Sequence, residues 1–171
     1  VTHRFISAAI YRNTNAGAVL PTNLASLTNL RNLSIQFDNA AITFPALTLT
    51  GNLSAIAGGI ISQSGALTVA GTSSFSAGSN AIDLTTNGAS NSFTGAITLS
   101  NSGANAVTLT NNRATLLAAS SVGNNLSIIS YGAISQSGAL TVPGTSSFSA
   151  GSNTIDLTTN GASNSFTGAI T

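Results

Sequence analysis

The chain has 171 residues, of which only 4% are charged, and its formal net charge is +1. This balance excludes the basic surface with which proteins bind nucleic acid or anionic membranes. No apolar run approaches the roughly 20 residues that span a bilayer, so we expect no membrane insertion. The chain has no cysteine, which excludes disulfides and thiolate metal sites.

The N-terminal part, residues 1–51, differs in composition from the rest of the chain. It contains His3, Tyr11 and three of the four arginines. Between Leu24 and Ile35 the apolar residues follow the leucine-rich pattern L-x-x-L-x-L-x-x-N, although the asparagine comes one position late, at Asn39. Because a stacked module needs several copies, we expect one or more divergent coils, a cap or a junction segment here. A leucine-rich module is the alternative.

Residues 52–171 contain a long internal repeat. The segment Ile61–Thr98 returns as Ile134–Thr171, 73 residues later, with two differences in 38 positions. So faithful a repeat is typical of architectures that grow by stacking, in which each unit buries its apolar side against its neighbour. We interpret residues 52–171 as a repetitive shaft and as a fragment of a longer fibre.

Short runs of alternating apolar and polar residues fill the repeat. Examples are Ala66–Val69, Ala81–Leu84 and Ala106–Leu109, and the separators GSN, TNG and GNN are turn chemistry. A period of two residues indicates strands. The sequence therefore predicts an all-β chain.

Strands this short suit a β-solenoid, in which each strand pairs in parallel with its equivalent in the next coil. The period of 73 residues divides into three coils of roughly 24 residues or four of about 18, and we favour three. The prediction is a parallel β-helix with about three coils per repeat, whose two copies superpose under the 73-residue shift. Phe75, Phe148, Ile82 and Ile155 are expected to point into the core.

The second copy has Pro143 where the first has Ala70, at the end of a predicted strand. Proline has no amide donor and is tolerated only where no ladder bond is needed. We therefore expect the Ala70 N–H to make no bond to an adjacent coil.

The search for catalytic, cofactor or metal residues yields none. Of the carboxylates Asp38, Asp83 and Asp156, the last two share one repeat position, so three coils would place them about 15 Å apart. A glycosidase pair needs roughly 5 to 9.5 Å, and each carboxylate is expected on an outer face or bonded to a turn amide. His3 has no apparent partner for a triad, and no serine lies in a nucleophile elbow. We predict that the chain is not an enzyme.

Two patterns suggest ligands without matching them closely. Gly78–Leu84 is partly similar to the calcium-binding β-roll motif, but it lacks the paired glycines and the nine-residue repetition. Threonine pairs such as Thr48 with Thr50 and Thr108 with Thr110 could build a flat hydroxyl array of the ice-binding kind. These pairs do not recur coil after coil, and β-propensity alone explains threonine in strands.

Asparagine-rich turns have a structural explanation instead. Asparagine tolerates left-handed backbone, and its amide can bond the asparagine amide one coil away. We predict such a ladder along the rod from four candidates, Asn91, Asn105, Asn112 and Asn125.

The strings GAISQSGALTVPGTSSFSAG, NSFTGAITLSNSGANAVTL and SVGNNLSIISYGAISQSGALTV resemble the repeats of filamentous-haemagglutinin-like bacterial adhesins, the exoproteins of two-partner secretion. The resemblance covers roughly residues 52–171; the family's secretion-domain motifs are not among them. It implies a right-handed parallel β-helix, secretion across the outer membrane and a role as an adhesive or spacing shaft.

The functional hypothesis is an extracellular, non-enzymatic β-solenoid shaft on a bacterial cell surface. Its expected partners are further coils of the same chain or other copies end to end, and glycans or proteins of a cell surface. The first alternative is a β-helical domain that binds or cleaves polysaccharide, which requires a groove lined by carboxylates and aromatic rings. A lower alternative is an ice-binding solenoid.

Overall fold

Every second residue of the short strands points into one common core. The computed structural model, which describes residues 6–27 and 29–171, shows this alternation in strands of only three residues such as Ile42–Phe44 and Leu47–Leu49. In each of them the outer two side chains are buried and the middle one is exposed. The predicted all-β class is confirmed, because apart from three short 3-10 turns the described elements are strands.

The described strands follow one another at short intervals along the chain. The 3-10 turns are Leu24–Ser26, Gly88–Ser90 and Gly161–Ser163. In chain order the strands are β1 (Ile6–Asn13), β2 (Leu30–Phe37), β3 (Ile42–Phe44), β4 (Leu47–Leu49), β5 (Leu53–Ala57), β6 (Ile61–Gln63), β7 (Leu67–Val69), β8 (Ser73–Ser76), β9 (Ile82–Leu84), β10 (Ser92–Phe93), β11 (Ile97–Ser100), β12 (Val107–Asn111), β13 (Thr115–Leu117), β14 (Ser120–Ser121), β15 (Leu126–Ser130), β16 (Ile134–Gln136), β17 (Leu140–Val142), β18 (Ser146–Ser149), β19 (Ile155–Asp156) and β20 (Ser165–Phe166).

Successive strands form the three faces of a coil, and all pairing between coils is parallel. The first face begins with β1, β2, β5, β8 and β11, the second contains β3, β6, β9, β12, β15 and β18, and the third begins with β4, β7 and β10. In the second half β14, β17 and β20 continue from β11 on the first face, and β13, β16 and β19 precede them in each coil. The chain is therefore a β-solenoid, as predicted; the handedness of its coil stays a prediction.

Coil length varies along the rod. On the second face the pairing runs from Ile42 to Ile61, Ile82, Val107, Leu126 and Ser146, in steps of 19 to 25 residues. The longest of these steps, from Ile82 to Val107, contains the 3-10 turn at residues 88–90. The turn at residues 161–163 lies in the next step, from Ser146 to Ile170. Eight strands lie in line on the longest sheet path, which at about 4.8 Å per strand gives a rod of roughly 35 Å.

The repeat contains three coils and one additional strand. Ser146, the equivalent of Ser73, lies three coils above Ile82 on the second face, whereas Ser73 itself lies on the first. Likewise β17, the equivalent of third-face β7, pairs through β14 with first-face β11. The prediction of about three coils per repeat is confirmed, and each repeat contains one further strand. Direct superposition under the 73-residue shift is wrong, because successive copies are rotated by one face.

Four inward-pointing residues were predicted, and three are buried. Phe75 and Ile82 have no exposed surface and Phe148 is 8% exposed, but Ile155 is 46% exposed. Ile155 lies in β19, which is paired on one side only, with β16. The edge-to-face contact of Phe75 with Phe93, at 5.9 Å between ring centroids, recurs as Phe148 with Phe166 at 6.1 Å.

The prediction about Ala70 is wrong. Its N–H donates to the Leu49 carbonyl of the preceding coil at 3.1 Å. Pro143 therefore stands at a position where the first copy uses a ladder bond, and the second copy does without it.

The segment before the repeat stacks on the same core. β1 pairs in parallel with β2, which pairs with β5 of the repeat, and Ala18 and Leu24 are buried at this end of the core. The Arg12 guanidinium binds the Asp38 carboxylate at 2.8 Å, and this hydrogen bond holds the pKa of Asp38 below its ordinary value. The boundary at residue 51 stays a prediction.

Candidate functional site

Hydroxyl groups form columns on the outside of the rod. On the first face Ser34, Ser54, Ser74 and Thr98 are paired from coil to coil. The third face has Thr48, Thr68 and Ser92 in the same relation. The second face carries Thr43, Ser62, Asp83, Thr108, Ser127 and Ser147 in successive coils.

The threonine pairs do not recur as pairs, as expected, since Thr110 is paired with Ile129 in the next coil. Single outward positions, however, do recur as hydroxyl residues. The recurrence is hidden in the sequence because serine and threonine share each column and the coils differ in length. Neighbouring members also interact directly: the hydroxyls of Thr43 and Ser62 lie 3.0 Å apart. Spaced at about 4.8 Å, the columns cover the outer faces with hydrogen-bonding groups that are uncharged except at Asp83.

Both repeat-related carboxylates are outward-facing and bonded to their own turn. The Asp83 carboxylate accepts hydrogen bonds from the Thr85 hydroxyl at 2.6 Å and the Thr85 amide at 3.1 Å. Asp156 accepts from Thr158 in the same way, at 2.6 and 2.9 Å, and these bonds lower the pKa of Asp156. This confirms the outer-face, turn-bonded interpretation.

The relation of Asp83 to Asp156 needs correction. Asp83 pairs with Thr108 on the second face, whereas Asp156 pairs with Ser135 of β16. They are therefore separated by three coils along the rod and by one face around it, and the structure does not bring them together. The same strand shift places Asp156 away from the column that contains Asp83.

The distant calcium-like motif does not collect ligands. Gly78 has a left-handed φ of 53°, as a turn requires. The Asp83 carboxylate in the same segment is engaged by Thr85 and by the Thr108 hydroxyl at 3.1 Å. Within residues 6–27 and 29–171 no three His, Cys, Asp or Glu side chains cluster as metal ligands do. His3 lies outside the described residues.

Two inward-facing amide pairs, the first buried and the second half-buried, join adjacent coils, and sequence reasoning missed them. Gln63 and Asn91 exchange two side-chain hydrogen bonds of 2.9 Å, and both are buried. Gln136 and Asn164 repeat the arrangement at 3.0 and 2.9 Å. A signal was present, because in the run ISQ the strand alternation places the glutamine on the same inward side as the isoleucine.

The Asn91 amide is the centre of the first pair. Its oxygen also accepts the Leu67 N–H at 2.9 Å, and its nitrogen donates to the carbonyls of Leu84 at 3.1 Å and Thr110 at 3.2 Å. One side chain thus satisfies backbone groups of three coils. We name the pairs Gln63–Asn91 and Gln136–Asn164 the amide locks.

The predicted asparagine ladder is wrong in its partners. Asn91 pairs with a glutamine side chain. The side-chain oxygen of Asn125 accepts the Thr145 backbone N–H at 2.9 Å, and the side-chain nitrogen of Asn105 donates to the Ser79 backbone carbonyl. The Asn112 backbone N–H donates to the Asn91 carbonyl at 2.8 Å. Asparagine side chains at these corners bond mostly backbone groups of the neighbouring coil, because those groups lack strand partners there.

One more buried polar position repeats. The hydroxyls of Ser73 and Ser146, at equivalent positions, are buried without a hydrogen-bond partner. Each side chain lies in an inward column otherwise occupied by leucine and isoleucine, as in Leu53, Ser73 and Ile97. Such a hydroxyl lowers stability, and nothing in the structure assigns it a ligand.

An open cavity lies beside the N-terminal loop. It has a volume of about 500 Å³ and is lined by residues 16–22 together with Ala40, Ala41, Thr43, Pro45 and Ser64. Small apolar side chains and threonines form its walls, and no charged side chain lines it. The cavity therefore offers packing surface without groups for acid–base or metal chemistry.

No helix in the described part of the chain is long and apolar enough to cross a membrane. Neither a curated protein nor a solved structure matches the chain. A family model described as "Repeats of unknown function (DUF5649)" matches residues 30–100 and again residues 104–171. Together these two matches cover most of the chain, and each spans about one 73-residue repeat. The chain belongs to the DUF5649 family of repeats of unknown function.

Proposed function

We propose that this chain is a shaft segment of an extracellular bacterial fibre and that it has a structural and adhesive role without catalysis. The observation that carries the proposal is the continuity of the coil stack. Buried apolar residues from Ala18 to Ala150 form one core cluster, and the strands of successive coils are paired in parallel. A rod of this kind transmits load along its axis and sets a distance between its ends.

The hydrogen bonds support a load-bearing role. Ladder bonds between coils run along the rod, and separating two coils must break those of all the faces. At two of the junctions an amide lock must break as well. Each bond contributes only about 1 kcal/mol net, but bonds that break together resist as a group. The columns contain one charged residue, Asp83, next to hydroxyl residues in the same column. This suits stacking, since like charges in register would repel at each coil.

The resemblance of residues 52–171 to filamentous-haemagglutinin-like exoproteins supports placement on the cell surface or in the medium. The lack of cysteine also suits a chain that crosses a membrane unfolded. Expected partners are further coils or copies end to end, and cell-surface glycans or proteins.

Two measurements test the proposal. A chain with a third 73-residue repeat is expected to form a rod longer by roughly 16 Å, three coils and one strand at about 4.8 Å per coil, in small-angle scattering. Antibody labelling of intact source bacteria, with and without external protease, is expected to detect a protease-sensitive surface antigen. An unchanged length would contradict the shaft role, and a protease-resistant cytosolic antigen would contradict the location.

A polysaccharide-binding role is favoured by one observation only. Tyr131 is 62% exposed and lines a groove of about 450 Å³ with Ser149, Ser152 and Asn153. An exposed ring beside hydroxyl and amide groups can stack on a sugar. Glycan-array binding that is lost in Tyr131→Ala would support this alternative over a purely structural shaft.

The hydroxyl columns favour the ice-binding alternative. They recur in successive coils at about 4.8 Å on all three faces. A thermal-hysteresis measurement on the purified chain tests the ice-binding alternative. Freezing-point depression beyond the colligative value is expected only of a protein with an ice-binding surface.

A further inference from the structure

The tripeptide Asn-Leu-Ser occurs three times in the chain, beginning at Asn32, Asn52 and Asn125. It fits the N-x-[ST] pattern at which sugars are attached to asparagine. Asn52 and Asn125 are 73 residues apart and therefore occupy the same position in the two copies of the repeat. Residues 52–60 and 125–133 differ at four of nine positions, but the tripeptide is identical. The motif is thus retained where the two copies otherwise diverge.

The strand places the asparagine and the serine of each motif on the outside together. Each motif leads directly into a strand, β5 or β15, whose first residue is the buried leucine. Residues two apart point to the same side of a strand. Asn52 and Asn125 are accordingly exposed, and Ser54 and Ser127 face outward and are half-buried. An enzyme can therefore contact the amide and the hydroxyl of the motif without opening the coil.

Contacts with the next coil determine which atom of the amide is free. The side-chain oxygen of Asn52 accepts the Thr72 N–H at 2.9 Å, and that of Asn125 accepts the Thr145 N–H at 2.9 Å. Neither side-chain nitrogen donates a hydrogen bond within the part of the chain that the structure describes. Attachment of a sugar replaces one of the two hydrogens on this nitrogen and leaves the oxygen as an acceptor. The bond to the next coil is therefore compatible with the modification.

The site beginning at Asn32 differs from the other two. Asn32 is half-buried, and its side-chain nitrogen donates to the Ser7 carbonyl at 3.1 Å. Its oxygen accepts the Asn52 N–H at 2.8 Å. Both ends of this amide are engaged, so a sugar on Asn32 competes with a contact between coils.

A purely structural explanation accounts for two of the three motif residues. The bond to the next coil explains the asparagine, and the core explains the leucine. The hydroxyls of Ser54 and Ser127, however, make no hydrogen bond to any residue that the structure describes. The serine is the residue that completes the acceptor motif.

We propose that Asn52 and Asn125 are N-glycosylation sites, at which a transferase attaches a hexose carried on a phosphate leaving group. The bond from the anomeric carbon to the phosphate oxygen breaks, and its electron pair leaves with the phosphate. A bond forms from the anomeric carbon to Nδ2, and the displaced amide proton passes to a base of the transferase. The two sites are three coils and one strand apart, roughly 16 Å at about 4.8 Å per coil, so the sugars do not collide. The inference rests on the motif and the coil geometry and not on the proposed surface function.

Peptide mapping by mass spectrometry, on the full chain purified from its source organism, tests both sites. Peptides that contain Asn52 or Asn125 are expected to show a mass increase of one or more hexose residues, and the peptide that contains Asn32 is expected to show none. Ser54→Ala and Ser127→Ala break the motif but keep the bonds to the next coil. Each is expected to remove the mass increase at its own asparagine only.

Two further variants separate the modification from a structural role. Ser74→Ala is the matched control, because Ser74 is paired with Ser54 in the same outward column but belongs to no acceptor motif. It is expected to leave the mass increase unchanged. Asn52→Asp keeps an oxygen for the Thr72 N–H and is expected to lose the sugar while the urea midpoint stays the same. Unmodified Asn52 and Asn125 in the source chain, or modification that persists after replacement of the motif serines, overturns the proposal.

The hexose donor is identified with chain produced in a host without the transferase. This chain is incubated with the soluble or the membrane fraction of the source cells, each supplied with a labelled nucleoside diphosphate hexose. Labelling by the soluble fraction supports the site with the nucleotide sugar as donor, and labelling by membranes alone supports it with a lipid-linked sugar. Equal labelling of the Ser54→Ala, Ser127→Ala double variant by either fraction contradicts the assigned sites.

Discussion

Replacement of Asn91 by leucine tests how much one amide lock stabilises the stack. Leucine keeps the volume of the side chain but has no polar atoms. The substitution leaves the Leu67 N–H and the Leu84 and Thr110 carbonyls without the partner that they have in the native chain. It also leaves the Gln63 side-chain oxygen unpaired, while the Gln63 nitrogen keeps its bond to the Gly65 carbonyl. At about 1 to 3 kcal/mol for each of these four buried groups left unsatisfied, the free energy of unfolding is expected to fall by about 4 kcal/mol or more.

Asn164→Leu is the matched control for this prediction. The residue makes the equivalent bonds to Gln136, to the Leu140 N–H and to the Leu157 carbonyl, but it is only half-buried and water can replace lost partners. Its effect is expected to be about 1 to 2 kcal/mol. Urea denaturation followed by circular dichroism measures both, with native-state hydrogen exchange to localise the loss. Equal effects of the two substitutions, or a loss below about 1 kcal/mol for Asn91→Leu, would refute the assignment of the lock as a principal stabiliser.

Three further changes test other contacts between coils. Ala70→Pro removes an amide that donates to the preceding coil, so the free energy of unfolding is expected to fall by about 1 to 3 kcal/mol; an unchanged urea midpoint would contradict the use of this bond. Gly88→Ala places a methyl group against the next coil and is expected to destabilise by about 1 to 3 kcal/mol, whereas Gly161→Ala, in open space, is expected to be neutral within about 1 kcal/mol. The pKa of Asp156 lies below its ordinary value because the Thr158 hydroxyl and amide donate to the carboxylate. The stabilisation is therefore present above the ordinary pKa of about 3.9 and is lost as pH falls through the folded value. In an NMR titration Thr158→Val is expected to raise this pKa, and an unchanged value would exclude the hydroxyl as its cause.

The strands and their inward faces follow from the sequence because alternation is a local property. Leu67, Val69 and Ile82 are buried as their period-two pattern indicates. Turn positions follow from glycine and asparagine for the same reason. The predicted class and the whole-number coil count therefore needed no long-range information.

The pairing register between coils could not be predicted from the local alternation of apolar and polar residues. It depends on how many residues each corner contains, and the 3-10 turn at residues 88–90 lengthens one coil without changing the strands on either side. The one-face shift of the repeat, the hydroxyl columns and the true partners of the asparagines all depend on this register. The misjudged Ala70 amide has the same origin, because a strand end in sequence need not be the end of a ladder.

The lock residues were accessible to sequence reasoning only in part. Strand alternation places Gln63 inward, but its partner Asn91 lies 28 residues away, beyond a corner of variable length. Only the recurrence of both residues in the second copy marks them as a pair. Chemistry that is assembled across coils is visible in a single sequence only where the repeat itself duplicates it.

The extra strand in each repeat determines how the surface is distributed around a rod made of such units. Each copy turns its outer features by about a third of a revolution, so the pattern returns to its starting direction only after three copies, roughly 48 Å along the axis at about 4.8 Å per coil. A neighbour that approaches from any side thus meets equivalent patches at equal intervals, and no flank is favoured. When two such rods lie side by side, the same outer face of one rod is turned toward the other only once in three copies. This weakens lateral, sheet-like association and leaves end-on contact unaffected.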